Sequence, residues 1–120
     1  MALGELIEDS TGKITGQRVL DVEIPKMETS FAMEGNYRGI SCTHVGTYTS
    51  VLREGGVLYG EGQGIITTKD GQGMATWTGQ GIGKFTAPGK VSFPTNNMVG
   101  VFEYEVDEMG SCFTKSWEWK

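Results

Sequence analysis

One histidine, two cysteines and three prolines are all that this chain of 120 residues holds of those types, and each scarcity removes a class of protein. His44 alone cannot complete a zinc site, and Cys42 and Cys112 show no C-x-x-C spacing that would supply the missing ligands. Two cysteines can form one bridge at most, so this is no disulfide scaffold, and free thiols are the expectation. No apolar run approaches the length of a membrane-spanning helix. The start, Met1-Ala2-Leu3-Gly4-Glu5-Leu6-Ile7-Glu8, lacks the basic and apolar regions of a secretory signal, so a cytoplasmic protein is expected. Basic charge is scarce too. Ten Lys and Arg against fifteen Asp and Glu give a net charge of -5, which provides no positive field for nucleic acid or an anionic membrane.

What is abundant is glycine, at 19 residues. It is patterned. Gly60, Gly62 and Gly64 recur at every second position in one stretch, and Gly79, Gly81 and Gly83 in the next, with a turn at Lys69-Asp70-Gly71-Gln72 between them. Successive side chains of a strand point to opposite faces, so each arm of this hairpin has one face stripped bare over three positions. Glycine inside a strand costs roughly 0.5–1 kcal/mol relative to alanine, and it persists where backbone must bend or be approached closely. The hairpin therefore reads as the sharply coiled wall of a small closed sheet.

The rest of the chain alternates in the same way. Lys13 to Ile24 forms a long strand ended by Pro25, and Met27 to Met33 a second, with a turn at Glu34-Gly35-Asn36. Residues 2–9 fit a strand or a loose lead-in. Thr43 to Arg53, Lys90 to Phe93, Met98 to Asp107 and Ser111 to Lys120 complete the series, with breaks at Ala87-Pro88-Gly89, Pro94-Thr95-Asn96-Asn97 and Glu108-Met109-Gly110. No stretch keeps a helical period. About eight short-connected strands in one domain describe an all-β antiparallel up-and-down barrel, because closure removes the edges a flat sheet would expose. An open two-sheet sandwich is the alternative.

The paired Gly60-Glu61-Gly62-Gln63-Gly64 and Gly79-Gln80-Gly81-Ile82-Gly83 arms, the break from Phe85 to Phe93 and the acidic, aromatic closing hairpin resemble the small barrels related to allene oxide cyclase and, more broadly, to the calycins. The resemblance spans residues 14–120. It implies a barrel of the kind found in uncharacterised bacterial and archaeal proteins, and its named enzyme cyclises a fatty-acid epoxide in an apolar cavity without a cofactor. No motif of that enzyme matches here residue by residue, so no catalytic residue carries over. One departure is the short Lys90–Phe93 strand, which leaves the barrel notched near residues 90–97 or marks a longer segment cut away.

The glycines do not bind phosphate on this pattern, since neither arm has G-x-G-x-x-G spacing and Gly83-Lys84 runs into Phe85. Tyr59, Glu61 and Gln63 share the face opposite the first glycine row, and Trp77 has small neighbours in Ala75 and Gly79. If the Glu61 face lines the lumen, its carboxylate sits in an apolar cavity and can act as acid or base; otherwise it is solvated surface. Trp77 suits a core plug or a stacking wall. His44 is a conceivable general base, but no nucleophile motif accompanies it. Glu103, Glu105 and Asp107 alternate on one strand and fit a wet face or a hard cation. Arg18, Arg38 and Arg53 fit surface ion pairs or a carboxylate ligand.

Three functions follow as expectations. The first is a cofactor-free barrel holding a small, largely apolar molecule, with Tyr59, Glu61, Gln63 and Trp77 as its lining. The second is a side-chain-filled assembly module. The third is a cofactor-free isomerase or cyclase using Glu61 or His44. The apolar face of Phe113, Trp117 and Trp119 either seals the barrel or joins subunits, and a homo-oligomer is expected from it.

Overall fold

The computed structural model describes residues 3–83, 89–93, 98–107 and 109–119. Eight strands follow one another: β1 (Leu3–Asp21), β2 (Lys26–Tyr37), β3 (Ile40–Arg53), β4 (Val57–Thr68), β5 (Met74–Gly83), β6 (Gly89–Phe93), β7 (Met98–Val106) and β8 (Ser111–Trp119). Each pairs antiparallel with the next, and β8 returns to β1 to close the barrel. The all-β antiparallel barrel read from the alternation is the fold observed. Among the described residues no helix is long and apolar enough to cross a membrane.

The turns are short because glycine permits them. Arg38 and Gly39 join β2 to β3, both with positive φ (52° and 85°), as a two-residue hairpin with the twist of its strands requires. The turn expected at Glu34-Gly35-Asn36 is instead strand: Gly35 pairs with Ser10 and with Cys42. Gly35 is there for closeness. A Cβ on it would overlap the Asp9 carbonyl oxygen and lie 2.6 Å from Ser10 Oγ. Residues 3–9, read as a strand or a loose lead-in, are strand and belong to β1. The turn between β4 and β5 forms where expected, with Asp70 Oδ1 accepting from Thr68 Oγ1 at 2.6 Å and from the Gln72 amide at 2.9 Å. Those two donors hold the Asp70 carboxyl below its usual range. The breaks at 84–88 and 94–97, and with them the notch, lie outside the described residues apart from Gly89–Phe93, which pairs with both β5 and β7.

The barrel is not equally closed along its length. On β1, pairing with β8 ends at Lys13, and the Ile14 amide donates to the Gly110 carbonyl of the β7–β8 turn. Beyond that point β1 runs on to Asp21 with β2 as its only described neighbour, while β2, β3 and β4 extend alongside to their hairpin tips. A closed barrel thus continues at one end as an open curved sheet. The elongated extents, 44 × 34 × 23 Å, reflect it. A register irregularity between Ile14 and Gly16 marks where β1 leaves the closed part.

In the closed part the interior is filled by side chains. Ile7, Tyr37, Cys42, Ile66 and Ala75 form one buried cluster, and Phe31, Met33 and Cys112 a second, with Trp77 packed against both.

Candidate functional site

The ladder decides which face of the glycine hairpin is inside. His44 is buried and pairs with Ile66, also buried. Counting by twos along β4 then turns Gly64, Gly62 and Gly60 inward, and their partners across β5 are Trp77, Gly79 and Gly81. The bare stripe faces the interior. Tyr59, Glu61 and Gln63 stand on the outer face, so the expectation that they line the lumen is corrected, and Trp77 alone of the four is interior. Tyr59 donates to Gln80 Oε1 at 3.2 Å and lies under the Arg53 guanidinium. Glu61 and Gln63 are exposed.

Rings from neighbouring positions occupy the space that the glycines vacate. A Cβ on Gly64 would overlap the Trp77 indole, and one on Gly46 would lie 2.6 Å from Phe31. Gly62 is pressed by Tyr48 of β3, at 2.7 Å, whereas at Gly60 the nearest atom is 3.6 Å away. Packing therefore ends between Gly62 and Gly60. At the open end the inner face carries Gln17, Val19, Met27, Thr29, Ser50, Leu52 and Leu58 around Gly60, Gly79 and Gly81. Charged residues of these strands, Arg18, Lys26, Glu28, Arg53 and Glu61, fall on the opposite parity and face outward. The result is an uncharged trough, with Trp77 and Tyr48 toward its closed end.

Below it lies a buried polar chain that includes a residue the sequence did not single out, Glu8. The Trp77 indole N–H donates to His44 Nε2 at 2.6 Å. That makes Nε2 the acceptor and puts the neutral imidazole's proton on Nδ1. Nδ1 abuts Glu8 Oε2 without hydrogen-bond alignment. Ser10 Oγ donates to the same carboxylate at 2.8 Å. His44 and Glu8 are each 2% exposed. Phe31 and Trp77 both stand edge-on to the imidazole, at 5.1 and 5.6 Å between centroids.

This order of groups is wrong for nucleophilic catalysis. A triad needs the hydroxyl on the imidazole nitrogen that will take its proton, but here the hydroxyl is on the carboxylate and an indole occupies Nε2. These polar groups are packed inside the closed end of the barrel. Only β1's packing against β3 identifies Glu8, and alternation within residues 2–9 carries no signal for it.

The remaining candidates are placed as follows. Glu103 and Glu105 are exposed on the outer face of β7, and Asp107 caps the β7–β8 turn by accepting from the Met109 and Ser111 amides. Arg18 pairs with Glu28 at 3.4 Å. Phe113 and Trp117 are half-buried and Trp119 is 44% exposed, all on the outside, so they do not fill the barrel. Tyr104 donates to the Tyr48 hydroxyl at 3.0 Å, and burial lifts its own hydroxyl well above the usual tyrosine range.

Cys42 and Cys112 are free and buried. Burial raises both thiols, and the Glu8 charge raises Cys42 further, so little thiolate exists at neutral pH. In the folded protein neither cysteine should react with an aromatic disulfide reagent on the time scale of a free thiol, and both should react after denaturation. Prompt labelling of the native protein would contradict this burial.

No family model matches the chain, and no curated protein matches it. Among solved structures, a protein of unknown function from Clostridium acetobutylicum ATCC 824 is similar over 100% of this chain and 100% of its own, with a TM-score of 0.77 at 13% identity. That likeness shows the fold.

Proposed function

We propose that the protein holds a small, flat, largely apolar molecule in the trough at the open end of the barrel, without a cofactor. The observation that carries this reading is the inner face there: uncharged side chains, with Val19, Met27, Leu52 and Leu58 outermost, surround bare backbone, and no charge of β1 to β5 points into it. Bare backbone at Gly60 lets a planar group approach the sheet closely, and Trp77 and Tyr48 offer ring surfaces at the end where packing begins. Leu52 and Leu58, 40% and 42% exposed, leave apolar surface that a ligand would cover. The resemblance to allene oxide cyclase-like and calycin-like barrels points the same way. A cyclase or isomerase reading has less support, because His44 is sealed and Glu61 lies outside.

Native mass spectrometry of the purified protein tests the proposal. The expected result is an adduct that disappears on denaturation, is lost in Leu58→Glu, and survives Glu61→Gln on the outer face. A mass equal to the bare chain, with no rise in melting temperature across a panel of flat apolar compounds, overturns it.

A further inference from the structure

Between Thr15 and Asp21 β1 has left β8 behind, and its backbone is paired on the β2 side alone among the described residues. Every residue from Thr15 to Lys26 is exposed. An unpaired strand edge is a template for another strand, and proteins blunt it with charge, above all lysine, with proline or with bulges. Between Thr15 and Asp21 there is no lysine or proline, and the irregularity at Leu20 and the charges of Arg18 and Asp21 are the devices present. The segment ends in a run of exposed apolar side chains, with Val19 at 61%, Val22 at 80% and Ile24 at 59%.

The order Gln17-Arg18-Val19-Leu20-Asp21 complements itself. Laid antiparallel on a second copy about a two-fold axis between Val19 and Leu20, it sets Arg18 opposite Asp21 twice and Val19 opposite Leu20 twice. Arg18 and Asp21 pair with Glu28 and Lys26 on the outer face of β2, so both charges meet on the same side of a shared sheet. The register irregularity at Leu20 is present in both copies, and the axis matches bulge to bulge. Opposite charges directly across an antiparallel pair stabilise it, and like charges destabilise it. We propose that this edge joins the β1 edge of a second copy of the chain, making a two-fold dimer whose open sheets run continuously from one barrel into the other. The contact is isologous and therefore closes at two subunits. It stands apart from the ligand reading, because it uses the strand edge and not the trough.

Sedimentation equilibrium of the full chain tests it, with melting temperature as the control for folding. The wild type should give twice the 13.0 kDa chain mass. Arg18→Asp puts like charges face to face at both ends of the pairing and should weaken association about tenfold or more. Arg18→Asp combined with Asp21→Arg restores the opposition and should return the dimer. A monomer at every concentration overturns the proposal, as does a mass that keeps growing beyond two. A dimer that ignores Arg18→Asp but is lost on Trp119→Ser also overturns it and places the interface on the outer face of β8.

Discussion

Replacing His44 by alanine should lower the free energy of unfolding by about 4 kcal/mol, the largest single effect expected from a side-chain truncation in this barrel. Three losses add. The Trp77 indole N–H loses its acceptor, the Glu8 carboxylate loses the imidazole beside it, and a ring-sized void opens between Phe31 and Trp77. Leaving a buried polar group without a partner costs about 1–3 kcal/mol, and a cavity adds to that. His44→Gln keeps an amide that can face the indole, so it should lose clearly less. Urea unfolding of the two variants measures the difference. If alanine and glutamine cost the same, the indole bond contributes nothing and the site is held by packing alone.

The second large effect is predicted at a glycine. Gly35→Ala should cost about 3 kcal/mol or more, because the new methyl overlaps the backbone carbonyl of Asp9 and crowds Ser10, neither of which can swing aside as a side-chain tip would. Ser10 also holds the Glu8 carboxylate, so the displacement carries into the polar chain. Gly60→Ala is the internal control. Its methyl would meet the Thr49 carbonyl oxygen at 3.6 Å, an ordinary contact, and the change should stay within about 1 kcal/mol. Equal losses at the two positions would mean that the strain is conformational and not a matter of approach.

These two glycines explain why the fold was more legible than the site. Alternation and turn residues are local, and they placed most of the strands, including the β4–β5 hairpin and its Asp70-Gly71 turn. Gly35 misled because a glycine that serves close packing and one that serves a turn read alike in sequence, while the actual turn put a bulky Arg38 at positive φ. The inside of the hairpin was harder still. A face without side chains looks like a poor core, so Glu61 and its neighbours were the natural lining. What covers that face comes from facing strands: Tyr48 of β3 presses on Gly62, and Trp77 of the other arm lies over Gly64. One signal was available. Thr67 pairs with Met74 across the hairpin, and a turn of that length sets Trp77 on the same face as the even-numbered residues of β4. The Trp77 face and the Glu61 face could not both be interior. Glu8 left no such trace, because its partner, His44, is 36 residues away on β3 and the two meet only where the sheet curls over β2.

Closure also sets a timetable. All but one of the strand pairings join neighbours in sequence, but the last ladder matches Leu3 with Trp119 and Leu6 with Trp117. During synthesis the first seven strands can therefore assemble as a sheet while the outer edge of β1 waits, unpaired, for the final strand to emerge. Contacts between residues so distant in sequence form late and slow the overall reaction. A chain arrested before residue 111 has every hairpin but the last and no barrel, and it presents the longest strand of the protein to whatever strand arrives first.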